Sequence, residues 1–292
     1  MSNKDSIKLQ NIQKRFGKTK ALDDVSFSIP ENSIFGLLGP NGSGKSTLMR
    51  ILSGLIIEWK GEIFFEEKNI ISNHKYFLRH CGFLIENPTF YEYLTAHQNL
   101  SLLAKITKCS LDSIEKVLVD VDLIDVSHKK VGDFSYGMKQ RLGIAQAILH
   151  NPDILFLDEP NNGLDPLGIE EMNKTILGLH EKGKTICVST HIINDVEELC
   201  SDIAILKEGK LIHNSSMENL LDKSQDIVIK GKEIHLMKKY LTGSNACKII
   251  SSETEKLVIK TDLDIHSVGR LLPKNTTVRS IAKQPNLVDL FK

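Results

Sequence analysis

The chain is short of several things, and each shortage excludes something. Its five cysteines (Cys81, Cys109, Cys187, Cys200 and Cys247) form no C-x-x-C pair and are odd in number. That argues against a disulfide framework and a zinc site, and points to reduced, mostly buried thiols. Charge of either sign is not in excess: acidic and basic residues stand at 37 each, against a nucleic-acid partner held by a basic surface. No apolar run approaches the length of a membrane span. Met1 to Asp5 leads straight into a polar, alternating segment, so no secretory signal is expected. These absences predict a cytosolic protein whose membrane role, if any, needs a separate partner. The guanine motif N-K-x-D is missing too, which disfavours a GTPase. At 292 residues, 41% hydrophobic and 25% charged, the chain suffices for one large or two modest domains.

What is present centres on Gly39-Pro40-Asn41-Gly42-Ser43-Gly44-Lys45-Ser46-Thr47, which fits the phosphate-binding pattern G-x-x-x-x-G-K-[ST]. The apolar run Ser33–Leu38 before it reads as a buried parallel strand, and Thr47–Gly54 reads as a helix stopped by glycine. The chemistry explains the spacing. Gly39, Gly42 and Gly44 let the backbone curl until successive N–H groups face one anion, and the helix start adds its positive end. Lys45 can reach the outer phosphates, Ser46 can offer its hydroxyl to Mg²⁺, and Thr47 can bond an inner phosphate. The nucleoside triphosphate is the expected ligand.

Further along, Ile154–Leu157 is an all-apolar strand that ends in Asp158 and Glu159. A carboxylate pair there suits Mg²⁺ binding by Asp158 and activation of the attacking water by Glu159 as general base. The strand Thr185–Ser189 ends at Thr190-His191, where the carboxyl edge of a parallel sheet places ligand groups. His191 could donate to a γ-phosphate there. Ser135 and Gly137 open a strongly helical run to Leu149, a second anion-ready helix start. From pattern alone Phe16 reads as an ordinary phenylalanine, although its ring could stack on a purine.

The remaining pattern gives the layout. Ile7 to Pro30 is expected to be an antiparallel β segment, followed by strands at Gly61–Phe65 and Cys81–Ile85. About 86–149 is mostly helical, with a capping box at Thr95–Gln98, and reads as an inserted helical subdomain. A helix at Glu170–Lys182 and a hairpin at Ile203–Ile212 follow. From Asp226 the order βαββαβ suggests a small ferredoxin-like α+β domain, with a short amphipathic end at Leu287 to Phe291. The expected domains are therefore 1–222 and 223–292. The second carries no catalytic constellation and reads as a stabilising or partner-docking appendage.

Taken together, Ile7 to Asn219 resembles the ATP-binding subunit of an ABC transporter. The resemblance implies an α/β P-loop ATPase core with an antiparallel β subdomain and an inserted helical subdomain. It implies that Phe16 stacks on adenine, that His191 is the switch histidine, and that Asp165 belongs to the loop after the acidic strand. It places Ser135 and Gly137 in the signature segment usually written L-S-G-G-Q. The family works as a head-to-tail dimer in which one subunit's P-loop and its partner's signature sandwich each ATP. With one P-loop here, a homodimer or a heterodimer is implied, joined to separate transmembrane permease subunits on the cytoplasmic side of the cell membrane. ATP and Mg²⁺ are the implied ligands, and no nucleic acid is expected.

Two departures stand out. Glu86, in Ile85-Glu86-Asn87-Pro88, takes the place of the glutamine that usually contributes to the Mg²⁺ or water site. A carboxylate keeps the oxygen but loses the NH₂ donors and adds negative charge near Asp158 and Glu159. The signature reads Phe134-Ser135-Tyr136-Gly137-Met138, with Tyr136 and Met138 replacing glycine and glutamine. These segments and the appended domain resemble the bacitracin-export and lantibiotic-immunity branch, whose members help bacteria resist peptide antibiotics. Export of another substrate (a drug, lipid or ion) and a non-transport regulatory ABC ATPase are the alternatives. Relatives that remodel nucleic acid usually carry two cassettes or a long coiled-coil insert, and this chain has neither.

Overall fold

Strands that read as continuous apolar runs need cover on both faces, and the fold supplies it. A computed structural model describes residues 5–242, 247–273, 276–285 and 287. Its chain divides into Met1–Ser215 and Ser216–Lys292. The expected division was at 222/223; the helix Met217–Lys223, capped by the Ser216 hydroxyl on the Asn219 N–H, goes with the second unit.

In the first unit a six-stranded sheet runs Lys210–Ser216, Asp202–Lys207, Ile34–Leu38, Thr185–Thr190, Ile154–Asp158 and Cys81–Leu84. The strand before the P-loop lies parallel between Thr185–Thr190 and Asp202–Lys207, and Ile154–Asp158 lies parallel between Thr185–Thr190 and Cys81–Leu84. Side chains alternate across a sheet. Leu155, Leu157, Ile186 and Val188 therefore join the core that holds the helical insert. Phe35, Leu37, Phe156 and Cys187 join a second core with the P-loop helix and the antiparallel sheet. Burial holds the Cys187 thiol well above its ordinary pKa, and Cys200 is affected likewise, so neither is a thiolate near neutral pH.

The antiparallel sheet runs Thr19–Pro30, Asp5–Phe16, Lys60–Phe65 and Lys68–Asn69. The insert holds helices Ala96–Thr107, Asp112–Asp120 and Tyr136–Ile148. Thr95 and Gln98 form the expected capping box. The helix His74–His80, buried through Phe77, was not anticipated from the sequence; its N-cap, Asn73, makes no side-chain cap bond. The later helix begins at Pro166 rather than Glu170, because Asp165 accepts from the Gly168 N–H and proline suits the first helical position. No helix among the described residues is long and apolar enough to cross a membrane.

The second unit carries Asp226–Gly231, Ile234–Thr242, Lys248–Ser252, Lys256–Lys260, Ile265–Leu271 and Val278–Lys283 in βαββαβ order. Its sheet runs Lys248–Ser252, Lys256–Lys260, Asp226–Gly231, Val278–Lys283, with all neighbours antiparallel. The expected amphipathic end at Leu287 to Phe291 lies, apart from Leu287, outside the described residues.

Candidate active site

The loop 39–44 leaves the sheet's carboxyl edge and enters the helix Lys45–Leu52. Its glycines are needed for different reasons. Gly44 sits at φ +111°, and a Cβ there would lie 2.6 Å from the Ala21 carbonyl. Gly39 has ordinary φ, but a Cβ would approach the Leu206 carbonyl to 2.3 Å. Gly44 therefore excludes a side chain by contact and by torsion, and Gly39 by contact alone.

Lys45 is 5% exposed. Its ammonium donates to the carbonyls of Gly39 at 2.8 Å and Pro40 at 3.3 Å, and lies 3.2 Å from Glu159 Oε1. The other Glu159 oxygen is 2.7 Å from His191 Nδ1. Residues 45, 159 and 191, read from three separate segments, thus meet in one chain of contacts. They line a cavity of about 570 Å³ together with Thr19, Lys20, Ala21, Asn41, Gly42, Gly44, Ser46, Thr47, Asn162 and Glu208. That volume falls within the range of small-molecule sites.

Glu159 is built into this position by its backbone. Its φ of +51° is a left-handed conformation that costs a non-glycine residue about 1 kcal/mol or more. Its N–H donates to Ser189 Oγ at 3.0 Å and to the Ser189 carbonyl at 3.1 Å, which hold the turn. The Ser189 hydroxyl donates in turn to Asp158 Oδ1. One serine therefore holds the Asp158 carboxylate and the Glu159 backbone, and sequence reasoning missed it. The available signal was a small polar residue inside an apolar strand, two positions before His191.

Behind this edge lies a buried polar network. Asn161 Nδ2 donates to Asn173 Oδ1 at 3.1 Å, and Asn173 Nδ2 to Glu198 at 3.3 Å. Thr190 Oγ1 donates to Asp195 Oδ2 at 3.1 Å. Burial pushes the Asp195 carboxyl above its ordinary value of 3.8, aided by the charges of Glu198 and Glu159 and opposed by hydrogen bonds from Thr190 and Asn161. A raised native pKa favours the folded state below the unfolded value, and that benefit fades as pH rises through the native value. The stability of the wild type minus that of Asp195→Asn should therefore fall between pH 3.5 and pH 7. Urea unfolding of both proteins across that range checks it; a constant difference would exclude the linkage.

The other expected residues take up distinct places. Phe16 is 51% exposed. It pairs across the hairpin with Thr19, at the cavity rim, and its ring lies 5.0 Å from Lys14 Nζ. Ser135 caps the helix Tyr136–Ile148 by accepting from the Met138 N–H. Ser135, Gly137 and Asp165 do not line the cavity formed within this chain. Glu86, at φ +64°, pairs with Arg50 on the P-loop helix. That contact was not anticipated, because 36 residues separate the partners.

Comparison with known proteins fits this geometry. The family described as "ABC transporter" matches residues 22–162. The chain is 42% identical over 221 residues to the bacitracin transport ATP-binding protein BcrA of Bacillus licheniformis, covering 75% of this chain and 72% of that protein. It is 39% identical to the lantibiotic transport ATP-binding protein SrtF of Streptococcus pyogenes, covering 76% and 93%. The chain belongs to the ABC transporter ATP-binding proteins.

It is accordingly an ABC ATPase that binds and hydrolyses ATP. A solved ATP-binding cassette of an ABC transporter in its ADP conformation superposes with a TM-score of 0.67 at 26% identity, over 74% of this chain and 92% of that one. In the ABC ATPase the carboxyl edge of the six-stranded sheet carries the P-loop, the Asp158–Glu159 pair and His191. Among the described residues, no group of three or more His, Cys, Asp or Glu could hold a metal alone. Mg²⁺ commonly takes one or two protein carboxylates and completes its shell with water and phosphate oxygens. The hard oxygens of Asp158 and Ser46 suit that mode.

Proposed function

We propose that this ATPase powers export of peptide antibiotics of the lantibiotic or bacitracin type, through separate transmembrane permease subunits at the cytoplasmic face of the membrane. The observation that carries the substrate class is the pair of relatives named for bacitracin and lantibiotic transport, at about 40% identity over three quarters of this chain. The observation that carries the chemistry is the contact chain from Lys45 through Glu159 to His191.

The cycle follows from those residues. Phe16 stacks on the adenine, and the N–H groups of Gly39 to Thr47 surround the phosphates. Lys45 exchanges its contacts for phosphate oxygens, which frees one Glu159 oxygen. Asp158 and Ser46, joined by Glu86 if it leaves Arg50, are the residues that would hold Mg²⁺, which would neutralise phosphate charge. Glu159 takes a proton from water as the water oxygen bonds to the γ-phosphorus and the bond to the ADP oxygen breaks. His191 holds Glu159 in register and faces the γ-phosphate. Ser135 and Gly137 face the nucleotide of a second ATPase subunit, in a homodimer or heterodimer, and Asp165 lies on the same junction. Closing that dimer on ATP and reopening it after hydrolysis drives the permease. Glu86 and the Phe90–Tyr93 loop, whose exposed Tyr91 and Tyr93 rings lie 5.9 Å apart, are the proposed permease contact.

Growth inhibition tests the substrate class. Cells lacking the chain, and cells carrying Glu159→Gln, should become several-fold more sensitive to lantibiotics or bacitracin than cells with the wild type, with unrelated small drugs unchanged. Equal sensitivity across the panel would remove the peptide reading and leave an ABC ATPase serving another exported substrate.

A further inference from the structure

Tyr136 occupies the first position of the helix Tyr136–Ile148, and its side chain makes two long-range contacts. The hydroxyl donates to Asn87 Oδ1 at 2.7 Å and accepts from Gln140 Nε2 at 2.8 Å. Gln140, one helical turn on, also donates to Asn87 Oδ1 at 3.3 Å, and it is buried. The three polar groups close a triangle between this helix and the loop that carries Glu86. The ring contacts a different loop. A Cβ at Gly163 would lie 3.3 Å from Tyr136 Cε1, so the ring packs over the turn that follows Glu159. A second glycine strengthens the first junction: a Cβ at Gly143 would lie 2.9 Å from the Pro88 ring.

These two loops leave adjacent parallel strands, Cys81–Leu84 and Ile154–Asp158, at the same edge of the sheet. Glu86 is itself tied to Arg50 on the P-loop helix. A path of direct contacts therefore runs from the P-loop helix through Glu86 and Asn87 to the phenol, and from the ring to the 159–165 turn. A glycine at 136 could make neither contact.

We propose that Tyr136 is a positioning residue. Its hydroxyl latches the start of the Ser135–Gly137 segment to the 86–88 loop while its ring seats that segment on Gly163, so that the three move as one unit. The kinetic consequence rests on the proposed function, in which this segment acts on the nucleotide of the neighbouring subunit. The latch itself is a property of the single chain.

Tyr136→Phe keeps the ring and removes the hydroxyl; Asn87→Ala removes its acceptor. In the full chain each variant should lower kcat for ATP by roughly three- to ten-fold, the range that one neutral hydrogen bond spans. The KM for ATP should stay unchanged, because residues 39–47 are untouched. The double variant should show the loss of one single variant, not the product of two. Amide exchange reads the latch without turnover. Both variants should speed exchange in 86–88 and in 136–140 together and leave 39–47 unaltered. Wild-type kcat in Tyr136→Phe, multiplicative losses, or exchange changing only in the segment that was mutated would overturn the latch. If the wild-type chain hydrolysed no ATP, the proposed function would fail, and the exchange result alone would decide this inference.

Discussion

Lys45→Ala is expected to lower ATP turnover by about 100- to 1,000-fold, the scale of removing one preorganised charge donor from a transferring phosphoryl group. The ammonium is placed for this: buried, with the carbonyls of Gly39 and Pro40 fixing its direction and Glu159 as its counter-charge. The variant also strips the Gly39 carbonyl of its buried donor, at about 1–3 kcal/mol of stability. A thermal melt must accompany the kinetics so that unfolding is not read as lost chemistry. Lys45→Arg separates charge from geometry. It keeps the charge, but its planar fork is larger and stiffer than an ammonium and does not reproduce the paired contacts to the Gly39 and Pro40 carbonyls. It should also be strongly impaired. Turnover within a few-fold of wild type in Lys45→Ala would remove this lysine from the phosphate site.

The second large effect is Glu159→Gln. The amide is nearly isosteric, so the Ser189 contacts to the Glu159 N–H persist and the fold is untouched. What disappears is the proton acceptor, which general-base catalysis values at about 100- to 10,000-fold in rate. Binding should move the other way. In this structure Lys45 is partly engaged by the Glu159 carboxylate; without that charge the ammonium is freer to meet phosphate. ATP affinity measured by calorimetry should therefore be equal to the wild type or higher. Loss of binding together with loss of turnover would mean that Glu159 builds the pocket rather than the reaction, and unimpaired turnover would remove it from the chemistry altogether.

Most of this site was readable because its parts are local. The P-loop writes its own strand, turn and helix within about twenty contiguous residues, and Ile154–Glu159 is a buried strand that ends in carboxylates by composition alone. The capping box at Thr95 needs four residues, and the structure has it. What could not be read depends on pairing across the chain. Arg50 and Glu86 meet only because the P-loop helix and the end of Cys81–Leu84 share one edge of the molecule. Tyr136 was legible as a departure from the family's glycine, but not as a ligand of Asn87, 49 residues upstream. Ser189 looked like one more strand residue. The helix at Pro166 was missed by four positions although the Asp165-Pro166 dipeptide carries both start signals.

The parallel sheet also sets when the site can exist. Ile34–Leu38 pairs with no strand close to it in sequence; its two neighbours are Thr185–Thr190 and Asp202–Lys207. On a ribosome the phosphate loop is therefore made early and completed late, since its flanking strands emerge roughly 150 residues afterwards, about 7–30 s at ordinary elongation rates. Throughout that interval a fully apolar five-residue edge stands unpaired on the nascent chain. Synthesis thus has a window in which this strand lacks both of its native neighbours, and the phosphate loop gains its flanking strands only once Lys207 has been made.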